Sequence, residues 1–575
     1  MKRVLAAIVL LGVALSSSSR NKEEIRIARI DSLNALPDSI DSHRGEEMRS
    51  SLEPMAASMQ LIPPSALGCK NPVYARIKKL ANGNYFLMYH NGRIGSSVWY
   101  NISPDLVNWS EPQFVFKARP TTTPAGEDQW RYSSADAIVL NNGDLLAFVA
   151  LRANKGYRYY PECNHVAMRR STDNGLTWGE EEFIYDGTVW EPYMLQLPSG
   201  KIQCYFTDTE PQKLNSGTSI VESEDNGYTW KPGGLSNCYK VIRQYKYTDE
   251  GTDIYTDQMP CVKMLNDGHT LLGFVESRLG PKPEKDAVYK MTIVRGRDDW
   301  KHLGPGETGP EDREDNVISG AAGYVGQFPS GETVLSCNLN QIFQLKIGDC
   351  TGKVFQGEGW DDKWMKAFPE KGFWGCVELD ADHVMLGTIH CKTGIQLGGF
   401  YLNHRIDASQ AKIRVDGDNR DWPASHAWFI GSDNPAVQTS VRAARSGKNL
   451  CFVFDRLDNA VEEGDDIEIR LSGGDSLKEG DVTLRITSSG TMSVERFDGT
   501  TWQSCKVPRG AKSAVARVLE GYVSEISLPV SVLPKNVSED GCYRVMVSVL
   551  NGTAEDSFTW AEASDPSSWQ LLRIK

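Results

Sequence analysis

Short apolar runs alternate with polar turns along residues 63–407, and the pattern repeats six times. Each repeat places a turn rich in Gly, Asn, Asp or Ser between two apolar runs, such as 85–88 or 145–148. Glycine tolerates positive φ in such turns and the short polar side chains hydrogen-bond to the nearby backbone, so each repeat predicts a strand, a turn and a strand. The turns are 80–83, 140–143, 197–200, 265–268, 328–331 and 379–382.

The spacing of these turns favours a radial array of sheets. Successive turns lie 51 to 68 residues apart, which is enough chain for one four-stranded sheet and its loops. Repeats of about that length are more typical of a β-propeller than of a solenoid. We therefore predict an all-β protein in which residues 63–407 form a six-bladed β-propeller.

The regions on either side of the repeats have a different pattern. From 411 to 575, short alternating strands are separated by acidic turns, which predicts a β-sandwich domain. Residues 20–62 are polar and are expected to form an irregular N-terminal extension. Residues 1–19 combine a basic start, an apolar run and a serine cluster, which is typical of a signal peptide. We therefore expect a secreted protein, periplasmic or extracellular.

Charge and cysteine spacing restrict the possible partners. The chain of 575 residues has a formal net charge of −13, which argues against binding to nucleic acid or to an anionic membrane surface. Beyond the signal, no apolar segment predicts membrane insertion. The 12 cysteines lack metal-binding spacing, as do His90, His165 and His404, so we predict no metal and no cofactor.

Two segments share the pattern S-x-D-x-G-x-T-W. Residues 171–178 and 223–230 carry it in full, and 103–109 carry a degenerate copy. In such a turn the Ser and Asp side chains can hydrogen-bond to backbone amides while the Trp packs beneath. The pattern resembles the Asp box (BNR repeat) of sialidase-type propellers, which implies a turn on the face away from the active site. We therefore expect Asp173 and Asp225 to be structural.

The position of a residue relative to its turn indicates which side chains reach the propeller axis. The innermost strands of all blades surround that axis, so residues at equivalent positions are expected to share one pocket. A glutamate in an otherwise apolar strand is costly unless it is paired or functional, which favours Glu191 and Glu276. The candidates selected in this way are Arg76, Asp136, Glu191, Asp257, Glu276 and Tyr324.

Three of these segments are similar to motifs of the exo-α-1,5-L-arabinanase family, a member of the sialidase clan. They are Trp190-Glu191-Pro192-Tyr193, Asp257-Gln258-Met259-Pro260 and Phe274-Val275-Glu276. The resemblance implies an exo-acting glycoside hydrolase with a retaining mechanism, in which Glu191 is the general acid/base and Glu276 the nucleophile. The last two motifs are altered, so the two roles could be exchanged. It also implies a glycan or polysaccharide substrate. Trp190 and Asp257 are substrate-binding candidates, together with Asp136, which is selected by its position relative to the turn.

An exo-α-sialidase is the alternative within the same clan. Such an enzyme clamps the substrate carboxylate with three arginines and uses a tyrosine nucleophile. Arg76 lies where the first sialidase arginine falls, Arg152 could supply another, and Tyr324 could be the tyrosine. Residues 205–208, where a further arginine would fall, contain none. A non-catalytic glycan-binding propeller is a third interpretation.

The C-terminal region resembles family 9 carbohydrate-binding modules. The resemblance rests on the D-G and D-W pairs of 416–422 and on the acidic strand 465–470. It implies sugar binding, although the domain could instead brace the propeller. Its tryptophans could stack on a sugar ring or fill the core. They are Trp422, Trp428, Trp502, Trp560 and Trp569.

Overall fold

The structure is a computed structural model that describes residues 39–575 except 158, 209–215, 245–254, 280–287, 298, 432–436, 459, 553–557 and 560. The predicted signal at 1–19, the first part of the extension and Trp560 therefore lie outside the described residues. Among the described residues the one α-helix is α1 (Ile40–His43), and all longer elements are strands. Short 3-10 turns cover Glu47–Arg49, Ala56–Ser58, Pro64–Ala66, Pro161–Cys163, Asn419–Asp421, Val530–Val532 and Pro566–Ser568.

Two short strands precede the repeats, in a region that we expected to be irregular. They are β1 (Ser51–Pro54) and β2 (Gln60–Ile62). The first three blades then follow in chain order. Blade one is β3 (Pro72–Lys79), β4 (Tyr85–Asn91), β5 (Val98–Ser103) and β6 (Gln113–Phe116). Blade two is β7 (Pro120–Thr123), β8 (Gly126–Val139), β9 (Leu145–Ala153), β10 (Asn164–Ser171) and β11 (Glu182–Asp186). Blade three is β12 (Val189–Gln196), β13 (Ile202–Asp208), β14 (Gly217–Ser223) and β15 (Tyr239–Ile242).

The remaining three blades continue the same antiparallel order. Blade four is β16 (Tyr255–Met264), β17 (Thr270–Leu279), β18 (Val288–Arg297) and β19 (Asp312–Ser319). Blade five is β20 (Ala321–Gln327), β21 (Thr333–Leu339), β22 (Ile342–Gly348) and β23 (Met365–Lys366). Blade six is β24 (Gly372–Ala381), β25 (Val384–Cys391) and β26 (Gly394–Asn403), and its outer edge is completed by β1 and β2, which both pair with β26.

The described strands thus form a six-bladed β-propeller, as the repeated turns predict. The innermost strands of neighbouring blades contact one another from β3 through β8, β12 and β16 to β20. The hydrophobic core lies between the faces of adjacent blades. Between blades one and two, for example, Phe86 and Tyr132 are fully buried in one cluster. This packing fixes the inner strands, which carry most of the candidate residues, whereas Glu276 and Arg152 lie on the second strands β17 and β9.

The two full S-x-D-x-G-x-T-W segments form tight turns after β10 and β14. The Ser171 hydroxyl accepts a hydrogen bond from the Gly175 amide at 2.8 Å, and Asp173 accepts one from the Thr177 amide at 2.9 Å. Asp225 repeats the second bond with the Thr229 amide at 2.8 Å. The Thr177 hydroxyl, which donates to Asp173 at 2.5 Å, and then the Thr177 amide stabilise the charged carboxylate and lower the pKa of Asp173 to about 2. The side chains of both aspartates therefore stabilise the turns in which they lie.

The C-terminal domain is a β-sandwich of two sheets. One sheet has the order β27-β39-β37-β31-β32-β33-β34 with β38 beside β37, and the other β28-β29-β30-β36-β35. Their strands are β27 (Ile406–Ala408), β28 (Trp428–Ile430), β29 (Thr439–Ser446), β30 (Asn449–Leu457), β31 (Ile467–Ser472), β32 (Val482–Ile486), β33 (Met492–Phe497), β34 (Trp502–Cys505), β35 (Lys512–Val518), β36 (Gly521–Pro529), β37 (Cys542–Val549), β38 (Phe558–Thr559) and β39 (Gln570–Ile574).

Three of the sandwich tryptophans belong to its interior. Trp428 and Trp569 are fully buried, and Trp422 is nearly so, with its indole N–H donating to Glu525 at 2.6 Å. Trp502 is half-buried and contacts the Phe497 ring at 5.3 Å between centroids. Three of the four described tryptophans of the sandwich are therefore core residues.

The chain divides into two compact units by its internal contacts. One unit comprises 60–380 and 385–398, and the other comprises the described part of 1–59 with 381–384 and 399–575. All twelve cysteines, which lie in described residues, are free. None of the described helices is long and apolar enough to cross a membrane.

Candidate active site

The innermost strand of every blade carries a non-glycine residue in the left-handed region at an equivalent position, and β16 carries a second one, Asp257. Their φ values lie between 48° and 60°. The pairing register shifts beside five of them, which marks β-bulges in β3, β8, β12, β16 and β20. Bulges redirect side chains, and backbone strain of this kind concentrates at functional sites. The six residues are Tyr74, Ser134, Glu191, Met259, Ala322 and Trp374.

The six equivalent positive-φ residues form one layer of side chains around the axis, and the residues two positions after them form a second layer. Arg76, Asp136 and Tyr324 belong to it, and all three are almost completely buried. The bulges therefore create two layers around the axis. Glu191 belongs to the bulge layer, whereas the sequence repeat placed it at the same level as Arg76 and Asp136.

These two layers enclose a pocket with about 210 Å³ of empty space, part of it open to solvent. Four of the candidates selected from the sequence, Glu191, Arg76, Asp136 and Tyr324, line it. Glu276, Asp257, Arg152 and Trp190 are not among its lining residues. The full lining is Tyr74, Arg76, Asp136, Glu191, Pro192, Tyr193, Met259, Pro260, Gly323 and Tyr324.

Glu191 has an environment that favours its protonated form. Its side chain accepts a hydrogen bond from the Thr207 hydroxyl at 3.0 Å, and Thr207 in turn accepts one from the Met259 amide at 2.8 Å. Burial, followed by the negative charge of nearby Glu276, raises the pKa of Glu191 to about 8. A carboxyl group that holds its proton near neutral pH can act as a general acid.

Two hydrogen-bond donors reach the carboxyl group of Glu276. Its two oxygens accept separate hydrogen bonds, one from the Gln258 amide group at 2.5 Å and one from the Ala322 backbone amide at 2.9 Å. Glu276 is 4% exposed. Donors aimed at a buried carboxylate stabilise its charge. The Ala322 amide points at Glu276 because the bulge of β20 turns this peptide away from the regular ladder.

Arg76, Asp136 and Tyr324 form one buried polar network. Arg76 Nε lies 3.3 Å from Asp136 Oδ2, and the Tyr324 hydroxyl donates to the same oxygen at 2.8 Å. Arg76 also donates to the carbonyls of Trp374 and Gly375 at 2.9 Å and 3.3 Å. Burial and the Asp136 charge hold the pKa of Tyr324 well above its usual value, so its hydroxyl stays protonated.

Asp257 is fully buried outside the pocket lining. Both of its oxygens accept from one guanidinium nitrogen of Arg313, at 3.1 Å and 3.0 Å, and the Ser277 hydroxyl donates to it at 3.3 Å. These partners anchor the bulged part of β16. The substrate contact that we expected for Asp257 remains a prediction.

Arg152 and Trp190 form a stacked pair. The Arg152 guanidinium lies 3.6 Å from the centre of the Trp190 ring, and one of its nitrogens donates to the Ile94 carbonyl at 3.2 Å. The Tyr157 ring meets Trp190 edge-on at 5.7 Å. Trp190, which directly precedes Glu191 in the chain, therefore packs between a buried arginine and a tyrosine ring.

Several residues of this site were not selected from the sequence. Thr207, Gln258 and Ala322 hold the two glutamates through hydrogen bonds. Nothing in residue type distinguishes them from other strand residues. They could have been recognised only from the bulges, and the sequence does not show which residues have positive φ values.

The comparisons with known proteins return structures but no sequence family. No protein-family model matches the chain, and no curated protein sequence matches it. The α-L-arabinofuranosidase of Fusarium graminearum bound to arabinobiose is 15% identical, with a TM-score of 0.43, over 61% of this chain and 98% of that chain. The α-L-arabinanase of Penicillium chrysogenum bound to arabinobiose is 16% identical, with a TM-score of 0.41, over 61% and 98%. Trypanosoma rangeli sialidase is 13% identical, with a TM-score of 0.36, over 91% and 94%. Likenesses at this level assign no role to any residue.

Proposed function

We propose that this protein is an exo-acting glycoside hydrolase that removes a neutral terminal sugar by a retaining two-carboxylate mechanism. The observation that carries the proposal is the contrast between the two glutamates. Glu191 is protonated near neutral pH because burial and a neighbouring charge raise its pKa to about 8. Glu276 accepts two hydrogen bonds that stabilise its carboxylate. Glycoside hydrolysis needs this pairing of an acid with a carboxylate.

Each glutamate has a defined part in the two steps. Glu276 attacks the anomeric carbon while the bond to the leaving oxygen breaks and Glu191 gives its proton to that oxygen. A water molecule then attacks the same carbon, Glu191 takes the proton from the water, and the bond to Glu276 breaks. The sugar leaves with its original anomeric configuration, and both glutamates return to their starting states.

The arginines of the pocket favour a neutral sugar. Arg76 is the one arginine among the lining residues, which all lie in the described part of the chain. It is already engaged by Asp136 and by two backbone carbonyls. A carboxylated sugar requires free cationic groups that converge on it. The protonated state of Tyr324 also disfavours a tyrosine nucleophile.

Exo action is part of this proposal because the segments 190–193, 257–260 and 274–276 are similar to motifs of the exo-acting arabinanase family. The signal-like residues 1–19 support export as a further part of this proposal.

The direct test is a screen of sugars released from a broad glycan panel. We expect the unaltered protein to release one neutral monosaccharide, and Glu191→Gln and Glu276→Gln to release far less of it while still binding the glycan. Glu314→Gln is the matched control, because Glu314 pairs with Arg295 at 2.7 Å on another strand of blade four. It should keep full activity. Glycan binding without release of any sugar by the unaltered protein would support a binding propeller instead.

A further inference from the structure

Four of the nine histidines of the chain lie together. The rings of His404 and His426 stack at 4.0 Å between centroids, and those of His383 and His426 stack at 4.1 Å. His43 meets His404 edge-on at 4.1 Å. We refer to His383, His404 and His426 as the histidine triad.

The triad joins three separate segments of one compact unit. His383 occupies the turn between β24 and β25, His404 directly follows β26, and His426 lies just before β28. His383 and His404 are buried and His426 is half-buried. One ring nitrogen from each histidine lies within 4.8 Å of those of the other two. The three nitrogens therefore lie close to one another, and small rotations of the rings would bring them around one ion.

A backbone contact determines which nitrogen of His404 can bind an ion. His404 Nδ1 lies 3.1 Å from the Arg405 carbonyl. A carbonyl can only accept a hydrogen bond, so Nδ1 carries the proton and Nε2 keeps a lone pair. Metal-binding histidines are commonly oriented in this way, with one nitrogen donating to a carbonyl and the other binding the ion.

We propose that His383, His404 and His426 bind one divalent transition-metal ion, with zinc as the best fit. Protonated imidazoles so close to one another would repel, whereas a cation shared by three neutral imidazoles is attracted to all of them. Imidazole ligands suit zinc, copper and nickel, and three histidines leave one coordination position open on a tetrahedral ion. Short motifs give no sign of the site because the ligands are 21 and 22 residues apart in the sequence.

The ion acts as a structural cross-link. It connects the turn at 381–384 to the segments around His404 and His426, which lie within the same unit. Glu191 and Glu276 belong to the other unit. Removal of the ion should therefore lower thermal stability, because an ion that binds only the folded state stabilises it.

The test uses the full chain without a histidine tag, stripped of metal with a chelator and then titrated with zinc by calorimetry. We expect one zinc ion per chain, with a Kd of about 1 μM or tighter, and a rise in Tm on zinc addition. His404→Gln and His426→Gln should each weaken zinc binding at least tenfold. His302→Gln is the matched control, because His302 stacks on Tyr239 at 3.8 Å away from the triad, and it should bind zinc normally.

Two results would overturn the proposal. One is the absence of saturable zinc binding by the unaltered chain, and the other is unchanged binding in folded His404→Gln and His426→Gln. If both variants fail to fold, the zinc absorption edge of the loaded, unaltered chain decides. The fine structure of the zinc X-ray absorption spectrum should show imidazole nitrogens at about 2.0–2.1 Å from the ion. A spectrum that shows only oxygen ligands would contradict the proposal.

Discussion

At the scale of single residues, the account depends on two buried glutamates with different hydrogen-bond partners. Burial and the charge of Glu276 raise the pKa of Glu191, whereas hydrogen-bond donors stabilise the charge of Glu276. In the proposed mechanism the same residue type therefore serves once as the acid and once as the nucleophile. The difference comes entirely from the neighbours that each strand supplies.

The raised pKa of Glu191 sets the pH dependence of the reaction. The acid is available below its pKa and lost above it, so kcat should fall as the pH rises through about 8. The pH profile of kcat measures this directly, and the residual activity of Glu191→Gln should lack the same basic limb. A basic limb that is unchanged in Glu191→Gln would assign the proton to another group.

The buried network beneath the pocket predicts a large effect on stability. Asp136 is buried near Arg76 and Lys78, whose charged nitrogens lie 3.3 Å and 3.7 Å from its oxygens. Removal of one charge from a buried pair leaves the other without compensation. Asp136→Asn should therefore lower the free energy of unfolding by roughly 3–5 kcal/mol, as measured by urea denaturation.

A surface ion pair supplies the control for this variant. Asp312 pairs with Arg295 at 3.0 Å, but its side chain is 49% exposed. Exposed pairs contribute about 0–1 kcal/mol, so Asp312→Asn should change the free energy of unfolding little. Equal effects of Asp136→Asn and Asp312→Asn would show that the Asp136 network contributes no more than a surface pair.

At the scale of elements, the bulges in the inner strands distinguish the candidate site from the rest of the repeated sheets. Each bulge holds one non-glycine residue at positive φ and directs the following side chains toward the axis. Such positions are strained and persist only where the surrounding packing determines them. Tyr74, Met259 and Ala322 pack together in one hydrophobic cluster, so three bulges support one another.

A comparison of variants at Ala322 and Ala321 distinguishes the effect of this backbone strain from the effect of side-chain packing. Both are buried in β20, but Ala322 has a φ of 57° and its amide donates to Glu276. Valine is strongly disfavoured at positive φ. Ala322→Val should therefore lower both the free energy of unfolding and kcat more than Ala321→Val does. Urea denaturation and steady-state kinetics check this, and equal losses in the two variants would contradict it.

The same elements show how much the sequence could predict. The polar turns identify the blades and the phase of Arg76, Asp136 and Tyr324, because Gly, Asn and Asp stand where the chain reverses. The bulges could not be predicted, because residues as different as Tyr74 and Ala322 occupy the same strained position. Backbone amides from these bulges, such as that of Ala322, complete the site, and a list of polar side chains cannot include them.

At the scale of the whole molecule, the propeller brings residues that are far apart in the sequence together around one pocket. Residues from blades one, two, three, four and five line it, so no local motif could hold the complete site. The histidine triad follows the same principle in the other unit. Its ligands come from three segments with no short spacing, and for this reason the sequence predicted no metal.

The measurement that tests the central claim most directly is azide rescue of the two glutamate variants on aryl glycosides of neutral sugars. Azide can replace the missing nucleophile in Glu276→Ala, which should give a glycosyl azide of inverted configuration. In Glu191→Ala, azide attacks the intermediate held by Glu276 and should give a glycosyl azide of retained configuration. Exchanged configurations would reverse the two roles, and full activity of either variant without azide would contradict the two-carboxylate mechanism.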